Sequence, residues 1–138
     1  IEETNAAAIR KQYQLNFETA YHLARPVFMQ MLRQGYGKIF FVGAKPGIQS
    51  SFSKGMVAYG LAKSLIFRLA ELLNDEAAGS DVSALVIVPG TIDTPQNRMA
   101  MPGTDFTKWK TPEALAEIIH LHCTATVHLP KEKVIEVF

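Results

Sequence analysis

The sequence predicts an α/β protein with parallel strands. Short apolar runs at Lys38–Val42 and Ser83–Val88 are separated by a longer run of helical period at Val57–Asp75. A second helical run, after Thr111, precedes a third strand at Lys133–Phe138. Strands and helices in alternation favour a parallel sheet with right-handed crossovers and helices on its flanks.

Residues from about Asn5 to Gln34 read mostly as helix, interrupted near Asn16, with Pro26 tolerable only at a kink or break. Gly35-Tyr36-Gly37 reads as a turn before the first strand. Gly43 to Ala58 is rich in Gly, Ser, Lys and Pro and reads as loop. The next helix is apolar over more than one face. Leu61, Leu65, Leu69 and Leu72 serve one surface, and Ala62, Ile66, Ala70 and Leu73 another. The second strand ends in Pro89-Gly90-Thr91-Ile92-Asp93-Thr94, and residues 94–110 read as a loop containing Pro and Met. Thr111 is placed as a helix N-cap with Pro112 at the first helical position, and that helix runs to about His122.

At 138 residues there is room for one domain. A net charge of +1 gives no reason to invoke nucleic acid or an anionic membrane surface as a partner. No run of 18 apolar residues argues for a membrane span. The single Cys123 cannot form an intrachain disulfide and fits a reducing compartment, so a cytoplasmic location is expected. His120, His122 and Cys123 invite a zinc reading. Adjacent and alternate helical residues do not face one another, however, and no second cluster completes four ligands, so no metal is expected.

The most informative stretch is Tyr59-Gly60-Leu61-Ala62-Lys63. Side chains four apart lie on one helical face, which brings an ammonium near a phenol. A nearby positive charge favours the phenolate and lowers the tyrosine pKa from about 10. Such a phenol can exchange a proton with a substrate. The bland alternative is an exposed helical pair.

Strand, long loop, helix with Tyr59 and Lys63, strand and Pro-Gly turn together resemble the C-terminal half of a short-chain dehydrogenase/reductase. Asn16, in Gln14-Leu15-Asn16-Phe17, stands where that family places an active-site asparagine. The resemblance spans about residues 8 to 98. It implies a Rossmann-like fold, with about three strands of a doubly wound parallel sheet, and NAD or NADP as cofactor. It further implies Tyr59 as general acid, Lys63 lowering its pKa and holding the nicotinamide ribose, and Asn16 supporting a water relay. Pro89, Gly90, Ile92 and Thr94 would form the turn beside the nicotinamide, a small molecule would be the substrate, and a homodimer or homotetramer is expected. Asn16 has a competing role in local backbone bonding, Thr94 as a cap, and Pro89-Gly90 as punctuation.

Ala44, in Gly43-Ala44-Lys45, occupies the place where the family carries a serine that binds the carbonyl oxygen. This departure, with Asp93-Thr94-Pro95-Gln96-Asn97-Arg98, Met101-Pro102, Asp105-Phe106 and Trp109, resembles the dihydropteridine reductase branch and implies a quinonoid dihydropterin as substrate. Met99, Met101 and Trp109 fall where the family has a mobile loop over the substrate; the alternative is a loop packed on the protein's own core. No strand, Gly-rich turn and helix opens the chain, so residues 1–138 are expected to be a single partial domain lacking the N-terminal nucleotide-binding half. The alternative from another class is a non-catalytic, self-associating module.

Overall fold

The computed structural model describes residues 1, 4–124 and 133–138. Its framework is a three-stranded parallel sheet of β1 (Tyr36–Val42), β2 (Asp81–Pro89) and β3 (Val134–Val137), in that spatial order. β2 is central, and Ala84–Val88 are 0–2% exposed, as a parallel strand covered on both faces requires. Even-numbered Ala84, Val86 and Val88 pack with Ile66 and Ala70 of α3 (Val57–Glu76), whereas Ile87 packs with Leu115 of α5 (Pro112–Thr124). The strand order advances in one direction while α3 and α5 lie on opposite faces. The two crossovers therefore have opposite hands, and the right-handed expectation fails at one of them.

The first helix is interrupted as its sequence suggests. α1 (Ala6–Gln12) passes through a π-helical segment, Tyr13–Glu18, into α2 (Thr19–Gln34), with Asn16 inside the π segment. Pro26 lies within α2, and Asn5 caps α1 by accepting from the Ala8 N–H at 2.9 Å. Gly35 closes α2 in the left-handed conformation, φ 86°, which costs glycine nothing. Tyr36 and Gly37 are not a turn; they pair with Asp81 and Val82 as the first residues of β1.

One of the two apolar surfaces of α3 is buried against the sheet, while the other is exposed except at Leu69, which packs on the core. Ala62, Ile66 and Ala70 are 2–3% exposed, whereas Leu61 is 53% and Leu72 46% exposed. α3 is also tied to β2 by Asn74. Its Nδ2 donates to the Ala84 carbonyl at 2.8 Å, and its Oδ1 accepts from the Ala84 N–H at 2.9 Å. Among the described residues β3 pairs with β2 from Val86 onward, and Asn74 meets the Ala84 N–H and carbonyl on that side.

The segment after β2 has more local structure than a plain loop. Thr94 caps α4 (Pro95–Ala100), and a 3₁₀ turn spans Phe106–Lys108. Thr111 caps α5 by accepting from the Ala114 N–H at 3.2 Å. Among the described residues, no helix is long and apolar enough to cross a membrane.

Candidate active site

Ligands of open parallel sheets bind beyond the carboxyl ends of the strands. Here β1 ends at Val42, and the chain passes Gly43 into an extended Ala44 and a 3₁₀ turn at Lys45–Gly47. That turn lies directly on α3. A Cβ on Gly47 would stand 2.9 Å from the Lys63 carbonyl carbon and 3.0 Å from the Lys63 Cβ, so a residue without a side chain is required there. Ser53 secures the same loop by donating from its hydroxyl to the Pro46 carbonyl at 2.9 Å.

A cavity of about 540 Å³ opens at this point. Tyr59, Lys63 and Ala44 line it from the β1–α3 side, and Pro89, Gly90 and Ile92 from the end of β2. Lys63 Nζ donates to the Val42 carbonyl at 2.8 Å and sits 5.8 Å from the Tyr59 ring centroid. Burial pushes the Tyr59 phenol above its ordinary pKa and the Lys63 ammonium below its own. The sequence suggested that Lys63 would lower the Tyr59 pKa. In this structure burial shifts Tyr59 the other way, and the Lys63 ammonium is hydrogen-bonded to the Val42 carbonyl.

Two candidate residues do not line this cavity. Asn16 Nδ2 donates to the Gln12 carbonyl at 3.1 Å and to Gln12 Oε1 at 2.8 Å. The π segment that carries it packs against α3. Such segments recur at functional sites. Thr94 Oγ1 accepts from the Asn97 N–H, and Thr94 lines an apolar cavity of about 370 Å³ beside α5 instead. Met101 reaches the Tyr59 cavity, Met99 is 83% exposed, and Trp109 packs on Phe106 with centroids 4.8 Å apart. Sequence reasoning passed over Lys45, Phe52, Met56 and Asn97, which also line the cavity. Asn97 was detectable as a polar residue one turn after the Thr94 cap, and its Nδ2 donates to the Ile92 carbonyl at 2.7 Å. No group of three His, Cys, Asp or Glu residues suited to a metal occurs among the described residues.

A parallel sheet with a tyrosine–lysine helix wall at its carboxyl ends is the arrangement of a ligand-binding α/β protein. The sequence profile of the short chain dehydrogenases matches residues 1–105, and the chain belongs to that family. It is 33% identical over 93 residues to a tropinone reductase homolog of Arabidopsis thaliana, covering 67% of this chain and 30% of that protein. It is 29% identical over 112 residues to a dihydropteridine reductase of Dictyostelium discoideum, covering 80% of this chain and 47% of that protein. The chain thus spans less than half the length of these relatives. The fold matches that of a Beutenbergia cavernae protein assigned as an NAD(P)-dependent gluconate 5-dehydrogenase, with bound NADP. The TM-score is 0.84 at 21% identity, over 98% of this chain and 57% of that one. A short-chain type dehydrogenase/reductase of Mycobacterium ulcerans matches at TM-score 0.82 and 21% identity, over 99% and 53%.

Proposed function

We propose that this chain carries the proton-transfer side of an NAD(P)-dependent oxidoreductase, with Tyr59 as the general acid. The observation that carries this reading is the convergence of Tyr59, Lys63, Pro89 and Gly90 on one cavity at the carboxyl ends of the parallel strands. Tyr59 holds its proton at Oη and delivers it to the substrate atom that gains an electron pair. Lys63 commits one of its three N–H donors to the Val42 carbonyl, which leaves two for sugar hydroxyls. That donor set fits the nicotinamide-ribose end of a dinucleotide. When bound, the cofactor supplies the hydride. Pro89, Gly90 and Ile92 would hold its nicotinamide end from the β2 side. Thr94 and Asn16, which do not line the cavity, would act only from behind it, Thr94 by capping α4 and Asn16 by supporting a water relay from the π segment packed on α3. The glycine-rich turn that holds a pyrophosphate is not in these 138 residues.

The substrate we infer is a dihydropterin-like heterocycle. Ala44 offers a methyl group where a hydroxyl would hold a simple carbonyl oxygen, and the resemblance to the Dictyostelium protein points the same way. The exposed Leu15, Leu23, Leu61 and Leu72 on the π segment, α2 and α3 support a homodimer through these helices.

Full-length protein is titrated with NADH and NADPH, then assayed on a quinonoid dihydropterin beside a panel of ketones and aldehydes. Saturable binding of either nucleotide with faster dihydropterin turnover is expected. No binding of either nucleotide favours a non-catalytic, self-associating module. Turnover of the carbonyl panel alone sinks the pterin assignment.

A further inference from the structure

Among the described residues, the cavity beside Tyr59 is lined by two lysines and by no carboxylate. The two ammonium groups are in different situations. Lys63 is engaged with the Val42 carbonyl. Lys45 Nζ has neither a hydrogen-bond acceptor nor an acidic partner among the described residues. It lies 3.4 Å from the centroid of the Phe138 ring and 5.0 Å from that of Phe52. Ring faces attract and orient a cation, but they leave its N–H donors without acceptors of full strength. Lys45 also directly follows Ala44, so the charged side chain enters the site beside the position that lacks a hydroxyl.

We propose that Lys45 is the specificity-determining residue of this site and selects substrates that carry a carboxylate on the ring bearing the group that Tyr59 protonates. The inference rests on the placement of the reaction at Tyr59. A carboxylate entering the cavity accepts from an ammonium already oriented by two rings, and no carboxylate among the described lining residues repels it. Nothing covalent is formed. A neutral substrate of the same shape loses this bond and gains nothing in its place.

The test uses full-length protein and two ligand pairs that differ in one carboxylate. Pterin-6-carboxylate and 6-methylpterin are compared by fluorescence quenching, which needs no turnover. The second pair, 4-carboxybenzaldehyde and 4-methylbenzaldehyde, is compared by KM. The unsubstituted protein is expected to prefer the carboxylate member by about 10- to 100-fold, the usual worth of a hydrogen bond to a charged group. Lys45→Met abolishes that preference, and Lys45→Arg keeps most of it. A preference below twofold in both pairs overturns the proposal, as does an undiminished preference in Lys45→Met or failure to take either carboxylate. If Lys45 only braces the loop, Lys45→Met lowers Tm and weakens both members of a pair equally, which also overturns it. Preference in the aldehyde pair without pterin binding keeps the role of Lys45 and removes the dihydropterin reading instead.

Discussion

The wall that carries Tyr59 and Lys63 is held by buried carbon contacts, whereas the segment from Ile92 to Lys110 that completes the cavity is held by polar bonds. Ala58, Gly60 and Ala62 are buried on α3, and the loop before α3 approaches so closely that Gly47 touches the Lys63 backbone. No residue from 91 to 110 is buried. That segment depends on the Thr94 cap, the Asn97 bond to Ile92 and a bidentate ion pair between Arg98 and Asp93. Arg98 also lies 5.0 Å from the centroid of the Phe106 ring. Close-packed contacts fix positions and transmit strain, while exposed polar bonds exchange with water at little net cost. The chemistry is therefore expected on the rigid wall, and adaptation to ligand on the other.

The comparison breaks most severely at Tyr59. Tyr59→Phe removes one hydroxyl and keeps the ring, so in the full-length protein turnover is expected to fall about 100- to 10,000-fold with Tm unchanged. Activity within twofold of the parent would reject Tyr59 as the acid. The rigidity of the wall is tested next at Asn74. Asn74→Leu keeps the volume but leaves the N–H and carbonyl of fully buried Ala84 without partners. At about 1–3 kcal/mol for each of two unsatisfied groups, a loss of about 2–6 kcal/mol is expected in urea denaturation. A loss under about 0.5 kcal/mol would show that water or neighbouring chain replaces the amide.

Much of this architecture was legible because periodicity reports burial. The Ala62–Ile66–Ala70 stripe of α3 and the apolar run of β2 are the residues that meet in the core. The Thr111 cap was readable from cap chemistry, and the expected interruption near Asn16 is met by the π segment. Asn74 was not. A lone asparagine near a helix end carries no sign that it will pair with a strand ten residues later. The direction of the Tyr59 shift was also hidden, because spacing places Lys63 near the phenol but says nothing of how far the phenol is buried. Lys45 was passed over because the rings it meets, Phe52 and Phe138, are remote from each other in sequence.

The polar segment responds more weakly to the same kind of damage. Thr94→Ala removes the side-chain cap of a six-residue helix, and such losses are typically worth about 1 kcal/mol. Because the segment carries no buried residue, this is expected as local fraying rather than a large change in global Tm. Limited proteolysis should cut between residues 95 and 110 faster in Thr94→Ala than in the parent. Equal cutting rates, or a global loss as large as that of Asn74→Leu, would erase the distinction between the two walls.

The smallest effect separates the walls by the sign of their pH dependence. The hydrogen bond from Arg98, reinforced by its charge, holds the Asp93 carboxyl below its usual range. A depressed folded-state pKa means stability that is present above about pH 4, the unfolded value, and lost as pH falls through the folded one. The Tyr59–Lys63 wall responds at the opposite end of the scale. Burial raises Tyr59, so its contribution is present below about pH 10 and lost as pH rises toward the folded value. Burial lowers Lys63, so the unfolded chain holds the extra proton between the folded value and about 10.4, and stability rises with pH across that window. The two alkaline contributions oppose each other, and single substitutions expose each one. Between pH 8 and 11, urea midpoints of Tyr59→Phe should fall less steeply than those of the parent, and those of Lys63→Met more steeply. Asp93→Asn should leave that alkaline limb unchanged and weaken the acid limb. If Tyr59→Phe and Lys63→Met bend the alkaline limb in the same direction, burial is not what sets the two shifts, and the rigid, desolvated wall described for Tyr59 is wrong.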